Sequence, residues 1–150
     1  MPLTPFHFGP GILIKPLAKK FSLTAFIVSQ IIIDLEPLWN ILRKAPRLHG
    51  LFHTFLGALI PAFLTVMVVR NILKRVPVSV LLFSALIGVW SHVILDGIMH
   101  RDMTPFFPFS DANPFLGIIP LSFLYWGCVV SGVIGLNLWL LFRNREGLDL

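Results

Sequence analysis

VPVSVLLFSALIGVWSHVILDGIMH, residues 76–100, carries no Asp, Glu, Lys or Arg over the twenty positions from Val76 to Leu95, then closes on Asp96 and His100, with His92 one helical turn before Asp96. About 20 apolar residues rising ~1.5 Å each cross a hydrocarbon core of ~30 Å, so this stretch predicts a transmembrane helix. An ionised Asp at the centre of such a helix costs roughly 2.5 to 3.5 kcal/mol. A segment that keeps both an imidazole and a carboxylate at its end therefore has a use for them.

Outward from this stretch the pattern repeats. Gly50 to Val69 and Ala112 to Phe142 are also free of Asp, Glu, Lys and Arg, and each is long enough to span. Phe21 to Ile33 is uncharged until Asp34 and Glu36; a helix from Phe21 to Glu36 would be ~24 Å long, placing both carboxylates near the far interface. The whole chain agrees, with 150 residues, 56% hydrophobic, 13% charged and mean hydropathy +0.85. A soluble domain carries about 25% charged residues and could not hide this much apolar surface. The fold class expected is all-α: a polytopic membrane helical bundle of about four transmembrane helices, one integral membrane domain over residues 1–150. The single Cys128 allows no intrachain disulfide. The start, Met1-Pro-Leu-Thr-Pro-Phe-His7, has no basic n-region and reads as no removable signal peptide.

The net charge of +5 does not point to nucleic acid. The Lys and Arg residues flank apolar spans without interleaved aromatics, so membrane lipids are the expected partners. Lys15, Lys19, Lys20, Arg70, Lys74, Arg75, Arg143 and Arg145 fall on one side, against Arg43, Lys44, Arg47 and Arg101 on the other. The positive-inside rule makes the richer side cytoplasmic, with both termini there. On this topology Asp34, Glu36, His49, His53, His92, Asp96, His100, Asp102 and Asp111 all fall on the opposite side, in a common layer.

Pro77 suits a first helical turn, whereas Pro61, placed mid-span, is expected to kink its helix. Gly127, Ser131 and Gly135 form a small-residue stripe suited to helix packing. Pro105, Pro108 and Pro114 break the loop from Arg101 to Phe115, and Phe106, Phe107, Phe109 and Phe115 make it apolar. It reads as an interfacial loop anchored by aromatics, or as a lid over the site.

His92 and Asp96 are four apart, as are His49 and His53, so each pair lies about 40° apart around a helix. Zinc takes imidazole and carboxylate ligands and can keep a position open for water. Both pairs, with Asp34 and Glu36 on a third span at the same depth, therefore predict a divalent metal site suited to zinc. His100, ~12 Å along a straight helix from His92, is too far to share its ion. Haem ligation by His53 and His92 is an alternative that the many nearby acids disfavour.

The order of these motifs, over roughly residues 1 to 105, resembles the bacterial inner-membrane proteins described as membrane-bound metal-dependent hydrolases. It is similar, more distantly, to the helical zinc-dependent phospholipases C. The resemblance implies metal ligands at His7, His49, His53, His92, Asp96 and Asp34, for one or two zinc ions. It implies catalytic roles for Asp34 and Glu36, with Glu36 as general base and the two roles exchangeable. Where the family usually reads Pro-Asp-x-Asp, this chain has Ile33, Asp34 and Glu36; the Arg that commonly follows the first paired His is Gly50 here. For His7 to join the others, residues 5 to 14, which are uncharged, must re-enter the bundle; extended, they would reach ~33 Å.

The function implied is hydrolysis of a lipid or lipid-linked ester or phosphodiester at the bilayer interface of the bacterial inner membrane. The alternative is a non-catalytic metal-binding membrane protein or a metal transporter.

Overall fold

The structure, a computed structural model, describes residues 5–146. Residues 1–4, on which part of the signal-peptide reading rests, and the side chains of the basic tail at Arg143 and Arg145 lie outside what is described. Among the described residues there are six α-helices and no strand: α1 Phe8–Leu17, α2 Leu23–Ile33, α3 Leu35–Leu42, α4 Leu59–Ile72, α5 Val78–Met99 and α6 Leu121–Glu146. Short 3₁₀ turns cover Pro5–His7 and Leu51–His53.

Three helices are long and apolar enough to cross a membrane: Leu23–Leu42 (α2 with α3), Val78–Met99 and Leu121–Phe142. α4 is apolar but only 14 residues long, so Gly50–Val69 is not the single helical span expected from its composition. Its first part is spent on the Leu51–His53 turn and on turns up to Ala58, where Phe55 N–H donates to Pro105 O (2.8 Å). Pro61 consequently sits in the first turn of α4 and kinks nothing, because its missing N–H would have had no partner there.

α2 starts at Ser22, whose hydroxyl accepts from Ala25 N–H (3.2 Å) while its own N–H donates to Ser84 Oγ of α5 (2.8 Å). That pair caps one helix and fixes its register on the other. α2, α4 and α5 enclose the core of Ala25, Ile33, Ala62, Val66, Val69, Leu81, Ala85, Val89 and Val93. The small residues let the backbones approach, as membrane helices do in the absence of a hydrophobic drive between them.

The N-terminal segment does re-enter the bundle, but as a helix instead of an extended strand. α1 begins beside buried His7 and ends near Lys15, whose Nζ donates to Phe21 O (3.2 Å) at the start of α2. α6 lies along α1: a Cβ at Gly9 would collide with Cys128 O, and one at Gly135 with Ile12 O. The expected small-residue stripe holds at Ser131 and Gly135, whereas Gly127 has open space. The outer face of α6 is lined by exposed Phe123, Trp126, Val130 and Val133, as lipid contact requires.

Candidate metal centre

α2 and α3 join at Asp34, a single turn residue of helical conformation (φ −71, ψ −11) whose carboxylate lies at the junction. His53 ends the 3₁₀ turn before α4, and His92 and Asp96 lie one turn apart near the end of α5. One ligand atom from each of Asp34, His53, His92 and Asp96 lies within 4.8 Å of all the others, and all four residues are buried. His92 Nε2 is 3.3 Å from Asp34 Oδ1 and 3.2 Å from Asp96 Oδ2, and His53 Nε2 is 3.7 Å from that same Asp96 oxygen. Around a tetrahedral zinc with bonds of ~2.0 to 2.2 Å, neighbouring ligand atoms stand about 3.3 to 3.6 Å apart. The spacing found is that of a coordination edge.

A second set adjoins the first. His49 Nε2 is 3.6 Å from Asp96 Oδ2, and His100 Nε2 is 3.9 Å from Asp96 Oδ1. These three residues form another group with metal-ligand geometry. His7 Nε2 faces Asp96 Oδ1 at 3.6 Å, its ring edge-on to His92. Asp96 is thus the centre of five imidazoles, with Oδ2 toward His49, His53 and His92 and Oδ1 toward His7 and His100.

Which nitrogen of each ring carries the proton follows from the partners. His92 Nδ1 donates to Gln30 Oε1 (2.6 Å), an oxygen identified by the same amide's Nε2 donating to Gly88 O (3.1 Å). His53 Nδ1 meets Glu36 Oε2 (3.2 Å), and His49 Nδ1 meets Asp102 Oδ1 (2.9 Å). Each Nδ1 therefore carries a proton, and each Nε2 faces carboxylate oxygens, toward which a neutral ring turns a lone pair. Acceptors facing acceptors in a buried space repel unless a cation stands between them. His53 Nε2, His92 Nε2 and Asp96 Oδ1 are buried without a hydrogen-bond partner, an arrangement costing about 1 to 3 kcal/mol per group if left so. Imidazoles held on one nitrogen by an acceptor, with the other aimed inward, are the usual preparation for metal ligation.

The supports are themselves anchored. Glu36 Oε2 also accepts from Gly50 N–H (3.2 Å) and Phe52 N–H (3.0 Å), and Asp102 Oδ2 accepts from Leu48 N–H (3.0 Å) and His49 N–H (3.1 Å). Burial pushes the Asp102 carboxyl upward, but the donors from His49 and Leu48 outweigh it and hold it down at about 2. Burial and the neighbouring His53 lower the His49 imidazole against the pull of Asp102 and Asp96. The loop thus favours a neutral His49, the form that binds a metal.

Asp34, of the two acids expected at the turn, lines the cluster, while Glu36 braces His53. The chain's two departures from the usual motif are also connected: a Cβ at Gly50 would stand 2.6 Å from Glu36 Oε1. The longer acid fills the space that a side chain at position 50 would need. His100, expected to be too far from His92 to share its ion, is not in the group that contains His92; α5 stops at Met99, and His100 in an extended conformation (φ −115, ψ 127) turns to Asp96 beside His49 instead. Gln30 and the bracing role of Asp102 were not foreseen. The available signal for Gln30 was a lone amide in an uncharged stretch, four residues before Asp34 and so on its helical face. A haem between His53 and His92 does not fit, since their ring centroids are 5.4 Å apart, leaving no room for a macrocycle plane.

Fold and side chains together define a membrane-embedded helical protein with a buried His/Asp cluster able to hold a metal ion. The chain belongs to the YdjM inner membrane protein family, whose model matches residues 12–149. This bears out the inner-membrane family expected from the motifs; it shows no relationship to phospholipase C. No curated protein and no solved structure matches the chain.

Proposed function

We propose that the chain is a membrane-bound, metal-dependent hydrolase of a lipid or lipid-linked phosphodiester or ester, with zinc as the cation its donors suit. The observation that carries this reading is the set of inward-facing Nε2 atoms, each fixed by a separate acceptor on Nδ1, around the carboxylate of Asp96. His53, His92, Asp34 and Asp96 would hold one ion, and His49, His100 and Asp96, with His7 beside them, a second. A divalent cation there supplies Lewis-acid polarisation of the scissile group and an acidified water. Asp34 would also accept that water's proton, through the carboxylate oxygen not on the ion; Glu36 would position His53.

A cavity of about 350 Å³ opens over His49 and Gly50 and is bordered by Arg43, Arg47, Thr54 and Thr104. Its guanidinium groups suit phosphoryl oxygens and favour a phosphodiester over a carboxylic ester. Phe106 and Phe115 pack against Phe55 beside it, while Phe109 remains 87% exposed, which supports the loop as an interfacial anchor.

Purified protein should contain zinc by mass spectrometry, lose it in the double variant His53→Ala/His92→Ala, and cleave a fluorescent phospholipid in a manner abolished by chelation and restored by zinc. Zinc content unchanged in the variant would remove the site. Bound zinc without turnover would favour a non-catalytic metal protein, and metal uptake into proteoliposomes without cleavage would favour transport.

The lysine-rich end of the bundle is the cytoplasmic one in this reading, with the cluster on the opposite side. Asn40 is buried and bonded to Leu48 O, so the position that tests orientation is exposed Lys44 at the α3 end. Lys44→Cys in a Cys128→Ser background should react with an impermeant maleimide from outside spheroplasts. Labelling only after lysis would reverse the orientation.

A further inference from the structure

At the end of the bundle away from the cluster lies a cavity of about 780 Å³, rimmed by Lys15, Lys19 and Lys20 and walled by Ile27, Val28 and Val76. Among the described residues its lining includes no acidic residue, and Thr24 and Ser79 contribute to it. The volume is within the range of sites that enclose a small ligand, about 300 to 1,000 Å³. Its walls are fixed from both sides. The half-buried Lys15 is tied to Phe21 O at 3.2 Å, and the Arg70 guanidinium donates to Lys74 O and Val76 O (2.9 and 2.8 Å), holding the α4–α5 loop in place.

A ligand for this space must be anionic at the lysine rim and apolar along the inner wall, and it must be present where α2 and α5 meet the membrane surface. We propose that this cavity binds one anionic phospholipid, its phosphate among Lys15, Lys19 and Lys20 and its glycerol and first acyl carbons against Ile27, Val28 and Val76. The occupant is distinct from any substrate, because the cavity and the His/Asp cluster lie at opposite ends of α2 and α5. Juxtamembrane lysines attract anionic lipid even when diffuse; a half-open, walled cavity adds a preference for one bound molecule.

The test is native mass spectrometry of the full chain in detergent, titrated with dioleoylphosphatidylglycerol, with dioleoylphosphatidylcholine, or with inorganic phosphate. Wild type should retain one phosphatidylglycerol and discriminate against phosphatidylcholine. The triple variant Lys15→Gln/Lys19→Gln/Lys20→Gln should bind it on the order of 100-fold more weakly, from the attraction each lysine contributes. Ser79→Trp leaves every charge in place and fills the cavity from an exposed position, so it should abolish retention of the single lipid. Circular dichroism checks the helicity of both variants, and the Trp variant tests the idea even if the triple variant does not fold. Equal retention of phosphatidylcholine, equal competition by free phosphate, or undiminished phosphatidylglycerol binding in Ser79→Trp would each overturn the proposal.

Discussion

If the cluster holds zinc as proposed, Asp96→Asn should leave purified protein with less than about a hundredth of the wild-type affinity for it, a larger loss than the ~10 to 100-fold typical when a residue supporting a ligand is changed. Asn keeps the size of Asp and its place on α5, so helicity by circular dichroism should be retained. What disappears is the one charge that both donor sets share, since Oδ2 faces His49, His53 and His92 while Oδ1 faces His7 and His100. Asp34→Asn, by contrast, touches only the first set and should lower the zinc content without removing it. Glu36→Gln and Gln30→Leu act one step away, through His53 and His92, and should fall within the ~10 to 100-fold range. Isothermal titration on chelated protein measures all four. If Asp96→Asn bound zinc as wild type does, the central carboxylate would not be a ligand.

The second large effect is on stability. Gly9→Leu forces a side chain into Cys128 O, and Gly135→Leu into Ile12 O. The obstructing atoms are backbone on each side, so no rotamer change relieves the overlap and the helices must separate. α6 rests chiefly on α1, and separation exposes the buried Leu124 and Cys128. Overpacking of this kind costs about 3 kcal/mol or more, corresponding to a fall in Tm of about 6 to 12 °C in a chain of this size. Gly127→Leu provides the internal comparison, because no atom lies within 4 Å of its would-be Cβ, and it should be near neutral. Thermal unfolding in detergent reads the difference. A Gly9→Leu protein as stable as Gly127→Leu would mean that α1 and α6 do not pack as described.

Much of this was legible because membrane crossing and ionisable residues leave strong marks on a sequence. The uncharged run before His92 and Asp96 identified α5, and the four-residue spacings picked out most of the residues that the structure brings together. What escaped depends on breaks in regular structure. Apolar content reads Gly50–Val69 as one helix, yet the chain bends there to bring His49 and His53 inward, and only Leu59–Ile72 remains α-helical. Helical arithmetic kept His100 away from the ion of His92, as found, but gave no sign that the end of α5 at Met99 turns it to Asp96 beside His49. Gln30 was invisible for a different reason: an amide has no charge, and its role exists only through His92 on another helix, sixty-two residues away.

Asp34 and Glu36 look interchangeable on paper, two acids one residue apart. The helical path carries them about 200° apart around its axis, so Asp34 faces the cluster and Glu36 reaches His53 and the backbone of Gly50 and Phe52.

The sharing of Asp96 between two donor sets has an evolutionary corollary. Neither half can be shed alone by substitution at this position, so descendants of the chain should keep both groups of histidines or lose them together, and a lineage with Asp96 replaced should show relaxed selection at His49, His53, His92 and His100 alike.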